Sequence, residues 1–529
     1  MRMHFLGFHE YDGQLVDYSP SWIEKRILEV KEDIEALKQM ETPKEKIERY
    51  EQNLVLSYLE TELFELDEQK EYKDSPLTYI WPLGIVEQSY AARSFASKED
   101  RVRSIIELEK KIPEFLQIGI GNFDDSLPRA KVSMGLSFMS GMINYYKDKL
   151  IEFVSGIQDN DLIQEWSDAN ILAVEAMENF REILQTKFLP NAHDDFALGE
   201  EKFLRMLKKT EFVDLSASKL LEIAESDLER NYQALLAIAE ELGESPADYI
   251  TKIMNKYPDP AELMVKVKAA LDRTKKFVME SGIVDVPTDR QCIVTEMPEF
   301  GRSFGFAAMN TPGPFEPPEA AEAYYYVNIP DPSWPEERLK SFMTFFSQTS
   351  IESVTVHEAW PGHYLQLLFN NKSTSKIAKM FAYSGTMIEG WGHYTEEMVY
   401  NAGYTPFDRV EYHAGQLIGA LVRNVRFVSA VRMHCYGMTV EESKQLFMEK
   451  AFMAETTAQI EANRGTVNPM YLYYTLGKLL ILKLREDYKM EKGSKYSLRE
   501  FHTELLSYGS PPITILRELM LEDPNKPIL

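Results

Sequence analysis

Nine of the chain's 26 prolines fall between residues 287 and 335, and this concentration limits the possible folds more than any other feature. Proline lacks a backbone N–H and fixes φ, so no continuous helix can cross this stretch. On both sides, Leu, Ile and Val recur every three or four residues among Glu and Lys, as in amphipathic helices. The sequence therefore predicts a mainly α fold: a large helical body of two lobes around a deep cleft, with a small β-sheet insert.

The proline-rich stretch also suggests the domain boundaries. We expect residues 1–285 to form an N-terminal helical lobe, residues 286–335 a β-rich insert at the cleft, and residues 336–529 a helical catalytic lobe, all within one integrated body. Three β-rich runs lie in the insert, at 291–295, 303–309 and 323–329. The prolines around the third run favour an edge strand, which an extended peptide could join. A simple connector is the alternative.

Charge and apolar content exclude several classes of protein. Lys and Arg number 58 against 84 Asp and Glu, so the net charge is −26. Such a chain lacks the basic surface that nucleic acids and anionic membranes require. It has no apolar run of about 18 residues, no signal-peptide pattern within residues 1–20, and only two cysteines. We expect a cytoplasmic protein without membrane or nucleic-acid partners, and the sequence leaves its oligomeric state open.

Histidine is scarce, yet three of the nine histidines, His357, His363 and His393, fall within 37 residues. Zinc-peptidase helices place two histidines four residues apart, with a glutamate directly after the first. Here the second histidine comes six residues after the first, about 120° away on a regular helix. Pro361 and Gly362 lie between them, and both residues favour a break in the helix. We therefore predict a bulge that returns His363 to the face of His357.

Neighbouring residues favour a metal at this bulge. Residues 349–352 match a capping box, which would begin the helix that carries His357 and Glu358. A buried charged Glu358 among apolar residues is costly without a partner, and a divalent cation would provide one. The alternative to a metal site is that each histidine is an ordinary core residue.

A catalytic zinc site needs a third protein ligand and an open position for water. Glu389 lies 26 residues beyond His363, within residues 385–399, which we expect to form a second helix. Glu396, two turns later on the same face, could hydrogen-bond to a ligand histidine. His393 could ligate or orient, and we rank it below Glu389.

Two long motifs carry a resemblance to a known family. Residues 357–366 read HEAWPGHYLQ and residues 389–396 read EGWGHYTE. They look like the signature motifs of the domain-of-unknown-function 885 family (DUF885). Further stretches also resemble it, at residues 325–328, 426–428, 434, 437–439, 441 and 471–478. That family is grouped with the gluzincin-type metallopeptidases, which include thermostable carboxypeptidases, angiotensin-converting-enzyme-like dipeptidases and thimet-type oligopeptidases. The resemblance covers the whole chain and implies a zincin-like catalytic core.

Chemistry and resemblance together imply the roles of individual residues. One Zn²⁺ per chain would be bound by His357, His363 and Glu389, with Glu358 as general base and Glu396 and His393 behind the ligands. Tyr474, or alternatively Tyr473, would donate to the developing oxyanion, and His434 could also contact substrate. The expected substrate-binding residues are Tyr326 and Asn328 on the strand-like run and Arg423, Arg426 and Arg464, whose guanidiniums suit a peptide carboxylate.

The sequence thus predicts a gluzincin-like, zinc-dependent hydrolase that cleaves short peptides. Two alternatives stay open: a helical scaffold with a structural or degenerate metal site, and a metal-dependent amidohydrolase acting on a non-peptide amide. An intact Glu358 argues against the scaffold, because a structural metal needs no adjacent base. The pattern does not distinguish exopeptidase from endopeptidase activity.

Overall fold

A computed structural model describes residues 2–287, 290–298, 302, 305–317 and 322–529. Helices account for about 70% of it and strands for about 3%, so the predicted mainly α fold with a small sheet is confirmed. The part of the second β-rich run at Ser303 and Phe304 lies outside the described residues. None of the described helices is both long enough and apolar enough to cross a membrane.

The helices up to residue 281 follow the apolar periodicity closely. They are α1 (Arg2–Leu6), α2 (Pro20–Gln39), α3 (Lys46–Leu63), α4 (Glu71–Asp74), α5 (Leu77–Ile80), α6 (Lys98–Glu109), α7 (Ile112–Asn122), α8 (Arg129–Lys147), α9 (Lys149–Val154), α10 (Asn160–Ile183), α11 (Glu200–Thr210), α12 (Ala217–Glu241), α13 (Pro246–Met254) and α14 (Leu263–Ser281). Three π-helical segments also occur, at Phe64–Gln69, Val86–Ala91 and Leu184–Phe188.

Helices resume after the proline-rich stretch. They are α15 (Glu336–Met343), α16 (Gln348–Glu358), α17 (His363–Lys372), α18 (Lys376–Phe381), α19 (Gly385–Asn401), α20 (Arg409–Cys435), α21 (Val440–Ala451), α22 (Glu455–Val467), α23 (Tyr473–Lys492), α24 (Leu498–Ser507) and α25 (Ile513–Met520).

The sheet contains β1 (Cys292–Glu296), β2 (Ala307–Asn310) and β3 (Ala323–Val327) in the order β1-β3-β2. β3 pairs with β1 in parallel and with β2 in antiparallel register. The predicted edge position of β3 is therefore wrong, because this strand is central. Pro330 and Pro332 follow the strand and so remove no hydrogen bond from its ladder.

Two large apolar cores organise the helices. One is built from residues 23–188, and the other from Phe64 and residues 203–521. α12 packs against α20, and α14 packs against α16. The boundary between the two cores therefore lies near residue 200, whereas the predicted lobe boundary was at residue 285. The prolines mark a change of secondary structure, but the apolar faces of α12 and α14 are buried with the C-terminal helices.

A cavity of about 230 Å³ is lined both by residues that precede residue 200 and by residues that follow it. Glu71, Lys131 and His193 line it from the N-terminal part, and His434 and Thr466 from the C-terminal part. The His357–Glu389 region is not among the residues that line this cavity.

Candidate metal centre

α16 carries the first histidine and the glutamate that follows it. Ser347 caps this helix, since its hydroxyl accepts a hydrogen bond from the backbone N–H of Ser350 at 3.2 Å. The predicted capping box at residues 349–352 is therefore wrong by two positions. Glu352 does not reach back to a helix end, because its carboxylate pairs with Arg273 and accepts from Tyr404.

The helix breaks between the two histidines, as predicted. α16 ends at Glu358, the Trp360–Pro361 peptide is cis, and α17 begins at His363. Gly362 donates its N–H to the carbonyl of Val356 at 3.0 Å, which closes a tight turn. As a result, the imidazole centroids of His357 and His363 lie 4.6 Å apart.

α19 brings the third side chain to this break. The indole N–H of Trp391 donates to the carbonyl of Pro361 at 2.8 Å, which ties α19 to the turn. Gly392 faces His357 so closely that a Cβ there would lie 2.6 to 2.9 Å from three imidazole atoms. Gly390 in turn packs on Gly477 of α23. Small residues thus let α19 approach its neighbours and place Glu389 beside both histidines.

The three side chains have the geometry of a metal site. The Oε2 atom of Glu389 lies 3.3 Å from Nε2 of His357 and 3.4 Å from Nε2 of His363. Donor atoms of a tetrahedral zinc with bonds near 2.05 Å are separated by about 3.3 Å. The side chain of Glu389 is 28% exposed, so water reaches this group. His357, His363 and Glu389 therefore fit a zinc ion with an open position.

Glu396 holds the His357 ring from the side that faces away from Glu389. Its carboxylate accepts from Nδ1–H of His357 at 2.7 Å and from Arg423 at 2.9 Å, and its side chain is fully buried. Burial opposes ionisation, but Arg423 and the hydrogen bond from His357 hold the pKa of Glu396 below its usual value. Nδ1 of His357 is thus committed to Glu396, so only Nε2 faces Glu389.

His393 lies on the far side of Glu396. Its Nδ1 atom is 3.5 Å from Oε2 of Glu396, and the ring is fully buried. Burial and the nearby ammonium of Lys478 lower the pKa of His393 to about 4, so the ring is neutral. This placement agrees with a supporting position and not with a ligand.

Glu358 directly follows His357 at the end of α16. Its side chain is buried, and burial raises its pKa, whereas the two imidazoles oppose that shift. Burial, and after it the charge of Glu358, raises the pKa of Cys292 on β1 and of Tyr325 on β3. Glu358 is therefore next to the metal ligands without belonging to the triad of donor atoms.

Tyr474 is brought to the cluster from α23. Its ring centroid lies 6.1 Å from that of His357, and Arg464 donates to its hydroxyl at 3.3 Å. Arg423 and Arg426 also lie over its ring, at 5.7 and 5.0 Å from the centroid. Both of these arginines have carboxylate partners, Glu396 for Arg423 and Glu461 for Arg426. The three predicted arginines therefore surround Tyr474.

Tyr473, the alternative to Tyr474, packs its ring against Gly385 at the start of α19. Burial and the carboxylates of Glu211, Glu65 and Glu389 raise its pKa well above the ordinary value. The ring of Tyr473 therefore supports the N-terminal start of α19, whereas the ring of Tyr474 lies against His357.

Three predicted site residues are not brought to the cluster. Tyr325 contacts Thr355 of α16, so Tyr326 points to the opposite face of the sheet, where its hydroxyl meets Asn310. The amide of Asn328 donates to the carbonyls of Arg302 and Gly305. His434 donates to the carbonyl of Gly465 and accepts from the N–H of Leu198. All three make structural hydrogen bonds instead.

Sequence reasoning missed two contributors to this region. Tyr325, not Tyr326, is the tyrosine of β3 that faces α16. Because side chains alternate along a strand, only one of these two tyrosines can face the helix, and the sequence does not show which one. Glu461 forms two hydrogen bonds of 2.7 Å with Arg426. A lone glutamate on an amphipathic helix carries no signal for such a pair, since only the tertiary fold brings α22 to α20.

The geometry predicts different effects for the two glutamates of α19. Glu389→Ala removes a donor atom, so zinc binding at this centre should be lost. Glu396→Ala should weaken zinc binding by only about 10- to 100-fold, because it merely frees the His357 ring. Zinc content and competition titration of both purified variants measure this, with Glu396→Gln as a conservative control. Equal zinc affinity in the Glu389→Ala and Glu396→Ala variants would contradict the assignment.

Structural comparison finds the same fold in two bacterial proteins. One, from Shewanella oneidensis, is described as "a putative lipoprotein of unknown function"; it is 24% identical, with a TM-score of 0.80 over 98% of this chain and 96% of that chain. The other, a "putative lipoprotein" from Colwellia psychrerythraea, is 18% identical, with a TM-score of 0.81 over 98% and 94%. At these identities the likeness concerns the fold alone.

No curated protein matches the sequence. A family model does, and it spans residues 1–520, which include both histidine motifs and the whole helical body. That model describes a "bacterial protein of unknown function". The chain therefore belongs to the DUF885 family.

Proposed function

We propose that this protein is a zinc-dependent hydrolase that cleaves short peptides. The observation that carries the proposal is the convergence of His357, His363 and Glu389, with Oε2 of Glu389 3.3 and 3.4 Å from the two Nε2 atoms. Glu358 directly follows His357 in the sequence. A zincin-like catalytic core and a relation to the gluzincins belong to the same proposal. The cytoplasmic location stays a prediction.

The residues around the cluster have different roles in the proposed reaction. A bound Zn²⁺ would polarise the scissile carbonyl and acidify a water molecule. The Glu358 carboxylate accepts the proton of the attacking water and returns it to the leaving amine. Glu396 keeps the His357 ring in the tautomer that has Nε2 free. Burial of Glu358 and His357 excludes bulk water from the proton transfer.

Tyr474 is the donor for the carbonyl oxygen as negative charge develops on it. Its hydroxyl oxygen accepts from Arg464, so its own proton is available for the substrate. Three guanidiniums also lie around this ring, two of them paired with Glu396 and Glu461. Because guanidiniums bind carboxylates well, they favour a substrate whose free C-terminal carboxylate lies near Tyr474.

A peptide assay tests the proposal. Zinc-reconstituted protein is incubated with a mixture of short synthetic peptides, each supplied both as the free acid and with an amidated C-terminus, and the products are identified by mass spectrometry. We expect cleavage of free acids in preference to the matched amides. A protein that binds zinc but cleaves no peptide in the mixture would favour the scaffold or the non-peptide amide hydrolase.

The role of Tyr474 gives a quantitative expectation. Tyr474→Phe keeps the ring against His357 but removes the hydroxyl, so kcat should fall by on the order of 100-fold with zinc retained. Tyr473→Phe is the matched control on the adjacent position and should stay within about threefold of the wild type. Steady-state kinetics and zinc content measure both variants. An unchanged kcat in Tyr474→Phe would assign the oxyanion donor to another residue.

A further inference from the structure

A second cluster of metal-binding side chains lies near the N-terminus, away from the centre described above. His4 is on α1, His9 and Asp12 follow it, and Glu316 comes from the segment after β2. Nδ1 of His4 lies 2.5 Å from Oδ1 of Asp12, and Nδ1 of His9 lies 3.1 Å from Oδ2 of the same carboxylate. Both imidazoles thus turn the same nitrogen toward a single carboxylate.

The other nitrogen of each ring is held by a side chain of the body. Nε2 of His4 lies 2.6 Å from the hydroxyl of Ser89, and Nε2 of His9 lies 3.0 Å from the carboxylate of Glu316. Histidines that ligate metals characteristically have the second ring nitrogen hydrogen-bonded in this way, which fixes the ring and the tautomer. Ser89 and Glu316 therefore leave the two Nδ1 atoms to act as ligands.

The spacing of the donor atoms is close to that of a metal site. The nitrogens of His4 and His9 and an oxygen of Asp12 all lie within 4.8 Å of one another. Donors around a tetrahedral zinc are separated by about 3.3 Å, so the direct His–Asp contacts need to open by less than about 1 Å. The side chain of His9 is 23% exposed, which gives an ion a path from solvent.

Charge also favours a divalent cation here. The side chains of Asp12 and Glu316 are only 6% and 3% exposed, so two carboxylates are buried beside two imidazoles. With neutral histidines, one divalent cation cancels both negative charges. Without a metal, a protonated imidazole would have to balance these charges.

We propose that His4, His9 and Asp12 form a second metal site, selective for Zn²⁺ or a similar divalent transition metal, with Ser89 and Glu316 orienting the two imidazoles. Two histidines and a carboxylate suit Zn²⁺ better than the harder Ca²⁺ or Mg²⁺. This site is independent of the proposed peptidase function.

Such a site would fasten the N-terminal segment to the body. The segment already touches the Glu316 loop, since Phe315 donates its N–H to the carbonyl of Leu6 at 2.9 Å. Gly7 has φ +98°, and a Cβ there would lie 2.4 Å from the backbone nitrogen of Glu316. At the other end, Arg2 reaches the carbonyl of Met380 and lies over the ring of Tyr58. A metal would lock these contacts, so we assign it a structural role.

Zinc binding to the full-length chain tests this site separately from the other. The His363→Ala variant disables the His357–Glu389 centre; after chelator treatment and reconstitution it should still bind about one zinc per chain. Adding His9→Gln, whose amide keeps hydrogen bonds to Asp12 and Glu316 but is a poor zinc ligand, should remove that zinc. Glu10→Ala, an exposed neighbour, is the control and should leave it bound.

Two further measurements sharpen the result. Co²⁺ substitution in the His363→Ala variant should give visible d–d absorption that disappears with His9→Gln, and zinc should raise the thermal midpoint only while His9 is present. If the His363→Ala variant binds no zinc, or if His9→Gln leaves zinc and the Co²⁺ spectrum unchanged, the cluster is a hydrogen-bonded network only. If the wild type binds only one zinc, His363→Ala keeps it and His9→Gln alone removes it, this site stands and the other centre fails.

Discussion

If the proposed function is correct, replacing Glu358 by Gln should stop peptide hydrolysis and leave the proposed zinc bound. The amide matches the carboxylate in size, so the buried position beside His357 and His363 remains filled. It cannot accept a proton from water, and loss of a general base lowers kcat by about 10²- to 10⁴-fold. We expect a fall of on the order of a thousandfold, measured by steady-state kinetics on the best peptide of the library, with zinc content measured on the same sample.

A second Glu→Gln change separates this effect from a general loss of charge. Glu336 lies at the start of α15 with its side chain 78% exposed, so Glu336→Gln should leave kcat unchanged. Circular dichroism should show the same helix content in both variants. A Glu358→Gln protein with kcat within about threefold of the wild type would remove Glu358 from the mechanism.

The second large effect is expected at Gly392, where α19 meets the His357 ring. An added Cβ would lie 2.6 to 2.9 Å from three atoms of the imidazole, so either the ring or the helix must move. Overpacking of this kind costs about 1–3 kcal/mol of unfolding free energy. The displaced ring loses its alignment with Glu389 and Glu396. We therefore expect Gly392→Ala to weaken zinc binding by at least about tenfold.

Gly121 provides a matched glycine for comparison. It lies within α7, and a Cβ there would meet no atom within 4 Å. Gly121→Ala should raise the unfolding free energy by about 0.5–1 kcal/mol, because alanine is the better helix former, and should leave zinc binding unchanged. Denaturant unfolding and zinc competition titration compare the two variants. The same zinc affinity in Gly392→Ala and Gly121→Ala would show that the α19–His357 contact is not needed for the site.

The secondary structure was largely predictable from local pattern. Apolar periodicity correctly indicated helices on both sides of the proline-rich stretch, and the helix expected over residues 385–399 is α19. Pro361-Gly362 correctly indicated the break between α16 and α17. Spacing predicted the break that brings His363 to His357, whereas Glu389, which arrives on α19 by tertiary packing, was assigned from chemistry and the family resemblance.

Features that depend on tertiary packing were not predictable. The order of the three strands places β3 in the centre, although the prolines around it favoured an edge. Arg426 and Glu461 meet only because α20 and α22 pack together, and Tyr326 faces away because pairing set the orientation of β3. His434 lies near the motifs in sequence, but it is on α20 beyond Arg423, where it contacts Gly465 instead of the cluster.

Zinc-edge anomalous diffraction from crystals of the zinc-loaded full-length chain tests the central claim most directly. We predict an anomalous peak bound by Nε2 of His357, Nε2 of His363 and an oxygen of Glu389, at about 2.0–2.2 Å from each. Glu358 should lie beside the peak without ligating it. The absence of a peak among these three side chains, in protein exposed to excess zinc, would contradict the metal centre and the hydrolase proposal that depends on it.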